Sequence, residues 1–514
     1  MSKDWLKAAG IVILAVIFLL AGSTAVRAEN RVVVGQTAEA PGLHTLVEVD
    51  IYAAERFNLI NQPLMVIDYD LDLIPGLATD WEVSDDAMRI DMELRQDVLW
   101  HHGREFVAED VKYTYEWILD EDTPAANRDL YAAIEEIEII DDHNIVFHLS
   151  EPYTFLLNNM ARVGVIPYDH HEEVGYNEFQ QAPIGTGPYV HDEWSDDDYH
   201  ILTAFEDYWG GSPYFDVVEF RPIPEDSSRL LAFEAGEIDM FQGGVVPEEI
   251  ERLEEDADVG VYRTAGTGYT YMGMNQKTDL NPEVIQNRKF REAVAYSINR
   301  EGIVDHVQEG IGSPGKSQIT PDMAHFNDEI DYPTYDPARA AELFAESGVE
   351  EGVTVELYTN EDPIRMQIAE IMEFELGRLG VNVNVNIEEW GAFLDRIYDT
   401  NDYDLFILGW GGQVDPDRAS YRQFHSEGTA NHVNFSDERM DELLERGRAV
   451  DPGSEESREI YREVQEILLR EHPKAFIFYT EEVAIVNPKF EGFRVHPYAA
   501  NAWLQLADQL EIVE

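Results

Sequence analysis

The sequence predicts an α/β protein that carries a smaller α+β domain beside its main sheet. Three observations lead there. Strand runs at Val353 to Tyr358, Val381 to Ile387 and Tyr403 to Leu408 alternate with amphipathic helical runs, the pattern of an α/β domain. Glu136 to Ile140 and Asn144 to Leu149 read as a hairpin around the polar turn Asp141-Asp142. The 514 residues allow roughly two to four domains at about 100–200 residues each, and 44% apolar residues suit a large buried core.

In chain order, Lys3 and Lys7 precede an apolar run from Ile11 to Ala21, which is short for a spanning helix of about 20 residues. Val26 and Ala28 stand at small-residue cleavage positions, so residues 1 to 28 read as a secretory signal with Glu29 as the first mature residue. An uncleaved anchor is the alternative. Arg31 to Gly35 follows as a strand. Ile90, Met92 and Leu94 alternate with polar residues as in a half-buried strand, and Ala108 starts a helix. Helical spacing then marks Phe290 to Val307, Pro337 to Ser347, Ile364 to Leu379 and Glu438 to Val450. There is no internal repeat and no low-complexity stretch.

The charge excludes whole classes of partner. With 103 acidic against 36 basic residues the net charge is −67, so nucleic acid and anionic membrane surfaces are poor partners. The acids are spread along a chain with 11% aromatic residues, which does not fit a disordered acidic tail. The composition instead predicts a protein for concentrated salt, where a Debye length of about 3 Å at 1 M screens the self-repulsion. The absence of cysteine excludes disulfides and thiolate chemistry.

Motifs for chemistry are weak. Gly310 to Ser317 (GIGSPGKS) matches the phosphate-loop pattern, but a helical run precedes it and Pro321 follows, so the strand and helix that the motif needs are missing. It reads as a plain loop, with Gly310 as a helix C-cap. His101-His102 and His170-His171 lack metal-ligand spacing and read as solvated surface rather than a metal site. No G-x-S-x-G elbow and no defensible Ser/His/Asp order is present, so no catalytic residue is assigned and a secreted hydrolase is the minority reading.

The stretch Ile74 to Val111 (IPGLATDWEVSDDAMRIDMELRQDVLWHHGREFVAEDV) resembles the family-5 extracellular solute-binding proteins, the peptide- and nickel-binding receptors of ABC importers. Further blocks keep the family's order: Ala182 to Tyr189 (APIGTGPY), Tyr208 to Gly211 with Pro213, Ala232 to Asp239 (AFEAGEID), Arg288 to Arg300, and Trp410 to Ser426. The resemblance implies a type II periplasmic-binding-protein-like fold, a two-lobed clamp with an extra inserted α+β domain. By it, domain I comprises residues 29 to 62, 185 to 274 and 481 to 514. Domain II is 63 to 184, and domain III is 275 to 480. The chain would cross between lobes near Tyr271–Asn275 and Phe478–Glu482. Many members carry a lipid-modified cysteine after Leu-Ala-Gly; here Ser23 follows Leu20-Ala21-Gly22.

The resemblance also nominates ligand residues. Trp410 would give a flat apolar wall, and glycines such as Gly411 and Gly412 let the backbone approach a ligand. Peptide-binding relatives often place an aspartate three residues after this tryptophan, against the peptide's α-ammonium. Gln413 stands there and carries no charge to match it. Asp415 before Pro416 suits a helix N-cap at least as well as ligand contact. Tyr269, Tyr271 and Asn275 lie by the first crossing, where aromatics serve stacking or core packing. Arg365 opens a helix where some relatives bind a ligand carboxylate. The expected function is capture of an oligopeptide for a membrane permease, by a monomer that uses no cofactor and meets the membrane only through the permease or an uncleaved signal. Oligosaccharide and chelated nickel are the other candidate cargoes.

Overall fold

A computed structural model of the protein describes residues 30–245, 249–412, 414–507 and 510–512. The expected signal segment and Gln413 lie outside the described residues. Among the described residues, no helix is long and apolar enough to cross a membrane.

Two long antiparallel strands, Gly260–Met274 and Lys474–Val486, form the middle of an 11-stranded sheet. On one side lie Leu405–Trp410, Thr354–Asn360 and Asn382–Glu388. On the other lie Met240–Gln242, Arg31–Gln36, Val217–Pro222, Tyr199–Ala204 and Tyr189–Ser195. Each flank pairs with a different end of the long pair. Leu405–Trp410 runs along Tyr269 to Met274, whereas Met240–Gln242 meets Ala484 to Val486. Each flank also has its own core: Met272, Val294, Leu357, Met372 and Ile407 on one side, Val34, Phe220, Met240 and Trp503 on the other. This is a clamp of two lobes joined by two strands.

The ladder between those strands is interrupted once over several residues. Ala265 pairs with Glu481 and the next pair is Tyr269 with Tyr479, so Gly266, Thr267 and Gly268 face Thr480 alone. A Cβ on Gly266 would fall 2.6 Å from Thr480 Oγ1, and one on Gly268 2.9 Å from it. The two glycines therefore permit this close crossing. This break lies a few residues before the segment Tyr271–Asn275.

The inserted domain is a four-stranded antiparallel sheet, ordered Ala78–Val83, Arg89–Leu94, Asn144–Leu149, Ile134–Asp141. Its helix Ala108–Leu119 is fastened by buried Asp110, which accepts from Trp100 Nε1 at 3.1 Å and from the Val107 amide at 3.1 Å. Arg104 bridges both of its oxygens. The residues that stood out in the sequence are therefore the fastening of this domain. The domain also packs on the second lobe. Tyr153 Oη donates to Asp417 at 3.2 Å, Arg448 pairs with the same carboxylate, and the Thr154 amide donates to Arg448 O at 2.8 Å.

Several expectations shift. The run Phe290 to Val307 is two helices, Arg288–Ser297 and Arg300–His306, because Asn299 accepts from the Gly302 amide and caps a new start. Gly310 (φ 80°) closes the second with its amide on Val304 O at 2.9 Å, and no helix follows before Ser317. His171 is buried, not solvated: Tyr113 Oη lies 2.8 Å from its Nδ1 and His44 Nε2 3.1 Å from its Nε2. Burial holds His171 down to about 4 and His44 to about 3. Among the described residues no group of three or more His, Asp or Glu could hold a metal ion.

Candidate functional site

The cleft opens where the ladder breaks. A cavity of about 330 Å³ is lined from both lobes and the crossing, with Ile51, Glu482 and Tyr498 on one side, Thr267 and Gly268 at its base, and Arg365, Trp410 and Gly411 opposite. A larger cavity, about 640 Å³, lies on the flank of the second lobe around Pro314, Tyr335 and Tyr479. The first lobe contributes nothing to its lining, so the smaller cavity is the one that clamp closure completes.

The strand Leu405–Trp410 delivers Trp410 half-buried to the cleft, and Gly411 and Gly412 (φ 69°) follow it. Arg365 enters from the start of the helix Pro363–Arg378, whose N-cap Asp362 accepts from the Arg365 amide at 2.9 Å. Arg365 Nη1 donates to Asn360 Oδ1 at 2.8 Å, and its guanidinium lies 6.0 Å from the Trp390 ring centroid. A Cβ on Gly409 would fall 2.8 Å from Arg365 Nη2, so this glycine keeps room for the arginine. Burial lowers the Arg365 pKa while Asp362 supports its charge.

Across the cleft, Glu482 accepts from Gln242 Nε2 at 3.2 Å. Burial pushes its carboxyl up to about 7. Glu55 stands behind it, accepting from Gln36 Nε2 and pushed up to about 8 by burial. The cleft thus holds a guanidinium from one lobe and, from the other side, a carboxyl poised near neutrality. Such a site can orient a zwitterion and offer hydrogen bonds along it.

Of the residues nominated from the sequence, Tyr269, Arg365, Trp410, Gly411 and Gly412 come together in this cavity. Tyr269 does so from a buried position, donating through Oη to Gln423 at 2.8 Å. Tyr271 does not line the cavity. It is fully buried beneath Lys474, whose Nζ lies 3.8 Å from its ring centroid. Asn275 is fully buried too and packs its own lobe, donating to Tyr403 O at 3.1 Å and accepting from Asn434 Nδ2 at 2.9 Å. Asp415 caps the helix Pro416–Phe424 by accepting from the Arg418 amide at 2.8 Å, and burial raises its carboxyl to about 6.

Glu482, Thr480 and Tyr498 were not nominated. Glu482 and Thr480 lie in the expected second crossing, so that segment carried a signal. Tyr498 comes from a C-terminal stretch without any motif.

Residues 72–432 match the family described as bacterial extracellular solute-binding proteins, family 5. The oligopeptide-binding protein AppA of Bacillus subtilis is 26% identical over 90% of this chain and 89% of its own. The dipeptide-binding protein of Escherichia coli is 26% identical over 83% of this chain and 84% of its own. The structure of AppA in complex with a nonapeptide superposes with a TM-score of 0.79 at 24% identity, covering 94% of this chain and 99% of that one. With a matching fold, a cleft between two lobes and a family match over most of its length, this chain belongs to the family-5 bacterial extracellular solute-binding proteins.

Proposed function

We propose that the protein captures oligopeptides outside the cytoplasm and hands them, unaltered, to an ABC-importer permease. The observation that carries this reading is a cavity lined from both lobes that holds Glu482 on one side and Arg365 with the flat wall of Trp410 on the other. A peptide has the matching parts: an ammonium, a carboxylate and a run of amides. Contacts with both lobes favour the closed arrangement, a population shift about the crossing at Gly266 to Gly268. The peptide names of the AppA and dipeptide-binding relatives support this cargo over a sugar or a metal chelate. The moving bodies on this reading are the lobes assigned from the resemblance, and the receptor acts as a monomer at the outer face of the membrane. Its acidity adapts it to concentrated salt.

The test is mass spectrometry of what is released when gently purified protein is denatured. A ladder of peptides with intact ends is expected. A sugar mass, a metal adduct or turnover products of an added peptide would contradict the proposal.

A further inference from the structure

The cavity of about 640 Å³ on the flank of the second lobe shares no lining residue with the cleft. Its volume lies within the roughly 300–1,000 Å³ of small-molecule sites. Its walls are flat and apolar, with Pro314, Pro321 and Pro333 beside Phe326 and Tyr335. Ser313 to Lys316 also line it, so the phosphate-loop pattern GIGSPGKS, which the cleft does not use, borders this cavity.

A phosphate cradle needs free backbone amides, and here they are spent. The Gly315 amide donates to Ile477 O at 3.0 Å, and the amides of Lys316 and Ser317 donate to Tyr479 Oη at 3.1 and 2.9 Å. Ser317 Oγ donates to Ile319 O at 2.9 Å. The loop brings Lys316 to the cavity instead. Lys316 is half-buried, and among the described residues its ammonium has no hydrogen bond or ion pair. Lys112, Lys289 and Lys489 each meet a carboxylate. With 103 acids for 36 bases in the chain, an unpaired lysine beside apolar walls marks a place for an anion from outside.

The other charges at the cavity have their own roles. Glu301 is exposed in the first turn of the helix Arg300–His306, where a carboxylate complements the helix dipole. Arg300 is buried and donates to Phe476 O at 2.6 Å, Pro333 O at 2.9 Å and Ala295 O at 3.1 Å. Its guanidinium lies 4.6 Å from the Tyr332 ring centroid. Arg300 therefore fastens the wall and adds positive field. Rings and prolines around a single available cation match a flat apolar body that ends in a carboxylate.

We propose that this cavity is a second ligand site, which takes a small aromatic carboxylate with its ring among the prolines and aromatic side chains and its carboxylate on Lys316. The first lobe contributes nothing to the lining, so the site fills without closure of the clamp. The proposal is independent of the peptide reading.

The test is calorimetric titration of the full chain in molar salt with phenylacetate, indoleacetate, the neutral analogue phenylacetamide and inorganic phosphate. Both acids are expected to bind one to one. Phenylacetate should bind at least about fivefold more tightly than the amide, because a half-buried lysine is screened less than an exposed one. Lys316→Gln should bring the acid down to the affinity of the amide, with the far-ultraviolet dichroism unchanged. Arg365→Gln, in the cleft, should leave both acids bound as before. Absence of binding by either acid overturns the proposal, as does an acid affinity unchanged in Lys316→Gln. Binding lost in Arg365→Gln but kept in Lys316→Gln overturns it too and places the acid in the cleft. Phosphate bound more tightly than either acid overturns it and returns the loop to phosphate.

Discussion

Glu55 and Glu482 are neighbours at the cleft, and among the described residues no arginine or lysine bonds either carboxylate. Their folded pKa values, about 8 and about 7, lie above the ordinary 4.5. The folded state therefore binds more protons than the unfolded chain above pH 4.5. The stability these groups contribute is complete below that pH and is lost as pH rises through 7 and 8. Glu55→Gln should raise stability by about 1–3 kcal/mol at pH 9 and change it little at pH 5, as read from melts at the two pH values. The buried histidines set the acid limb. His432 and His472 are held down to about 3 by burial, so their contribution is present above 6.5 and lost as pH falls towards 3. At Gly409 a methyl group would meet the Arg365 guanidinium at 2.8 Å. Gly409→Ala should weaken peptide binding by about tenfold, or ~1.4 kcal/mol, by displacing that side chain, measurable by calorimetric titration.

Among the elements, the paired long strands matter most, and they were the least legible. The second half revealed Thr354–Asn360, Asn382–Glu388 and Leu405–Trp410 to within about two residues, because the first two alternate apolar with polar residues and the third is a short apolar run buried on both faces. Gly260–Met274 escaped because its ladder breaks after Ala265 and glycines interrupt its alternation. The helix Glu455–Glu471 escaped because charged residues outnumber the apolar stripe of Ile460, Val464 and Leu468. The run over Phe290 to Val307 looked continuous because Asn299 is polar in an otherwise periodic stretch; its capping role needs the bond to Gly302. At the site, Trp410 and its glycines were legible from the resemblance. Tyr498 was not, since only the three-dimensional meeting of the lobes brings it to the cavity. The crossing itself gives a direct prediction. In Gly266→Ala/Gly268→Ala the added Cβ atoms press on Thr480 Oγ1. Peptide affinity should fall on the order of tenfold while the far-ultraviolet dichroism of the folded chain is kept, since about 1.4 kcal/mol of strain in the closed form suffices.

For the whole molecule, two properties follow from the sum of its parts. A net charge of −67 means that dilute buffer, where the Debye length grows to about 30 Å at 0.01 M, exposes the fold to its own repulsion. Dichroism followed from molar salt into dilute buffer should show cooperative loss of structure, and an unchanged spectrum would remove the salt-adaptation reading. The second property is closure. The inserted domain already meets the second lobe through Tyr153, Asp417 and Arg448, and the cleft is lined from both lobes. Small-angle X-ray scattering with and without a pentapeptide mixture tests this most directly, with the peptides recovered and weighed afterwards. The expected result is a smaller radius of gyration with peptide and every peptide recovered whole. Superimposable profiles despite bound peptide, or peptides recovered in pieces, would contradict a receptor that works by closing on its cargo.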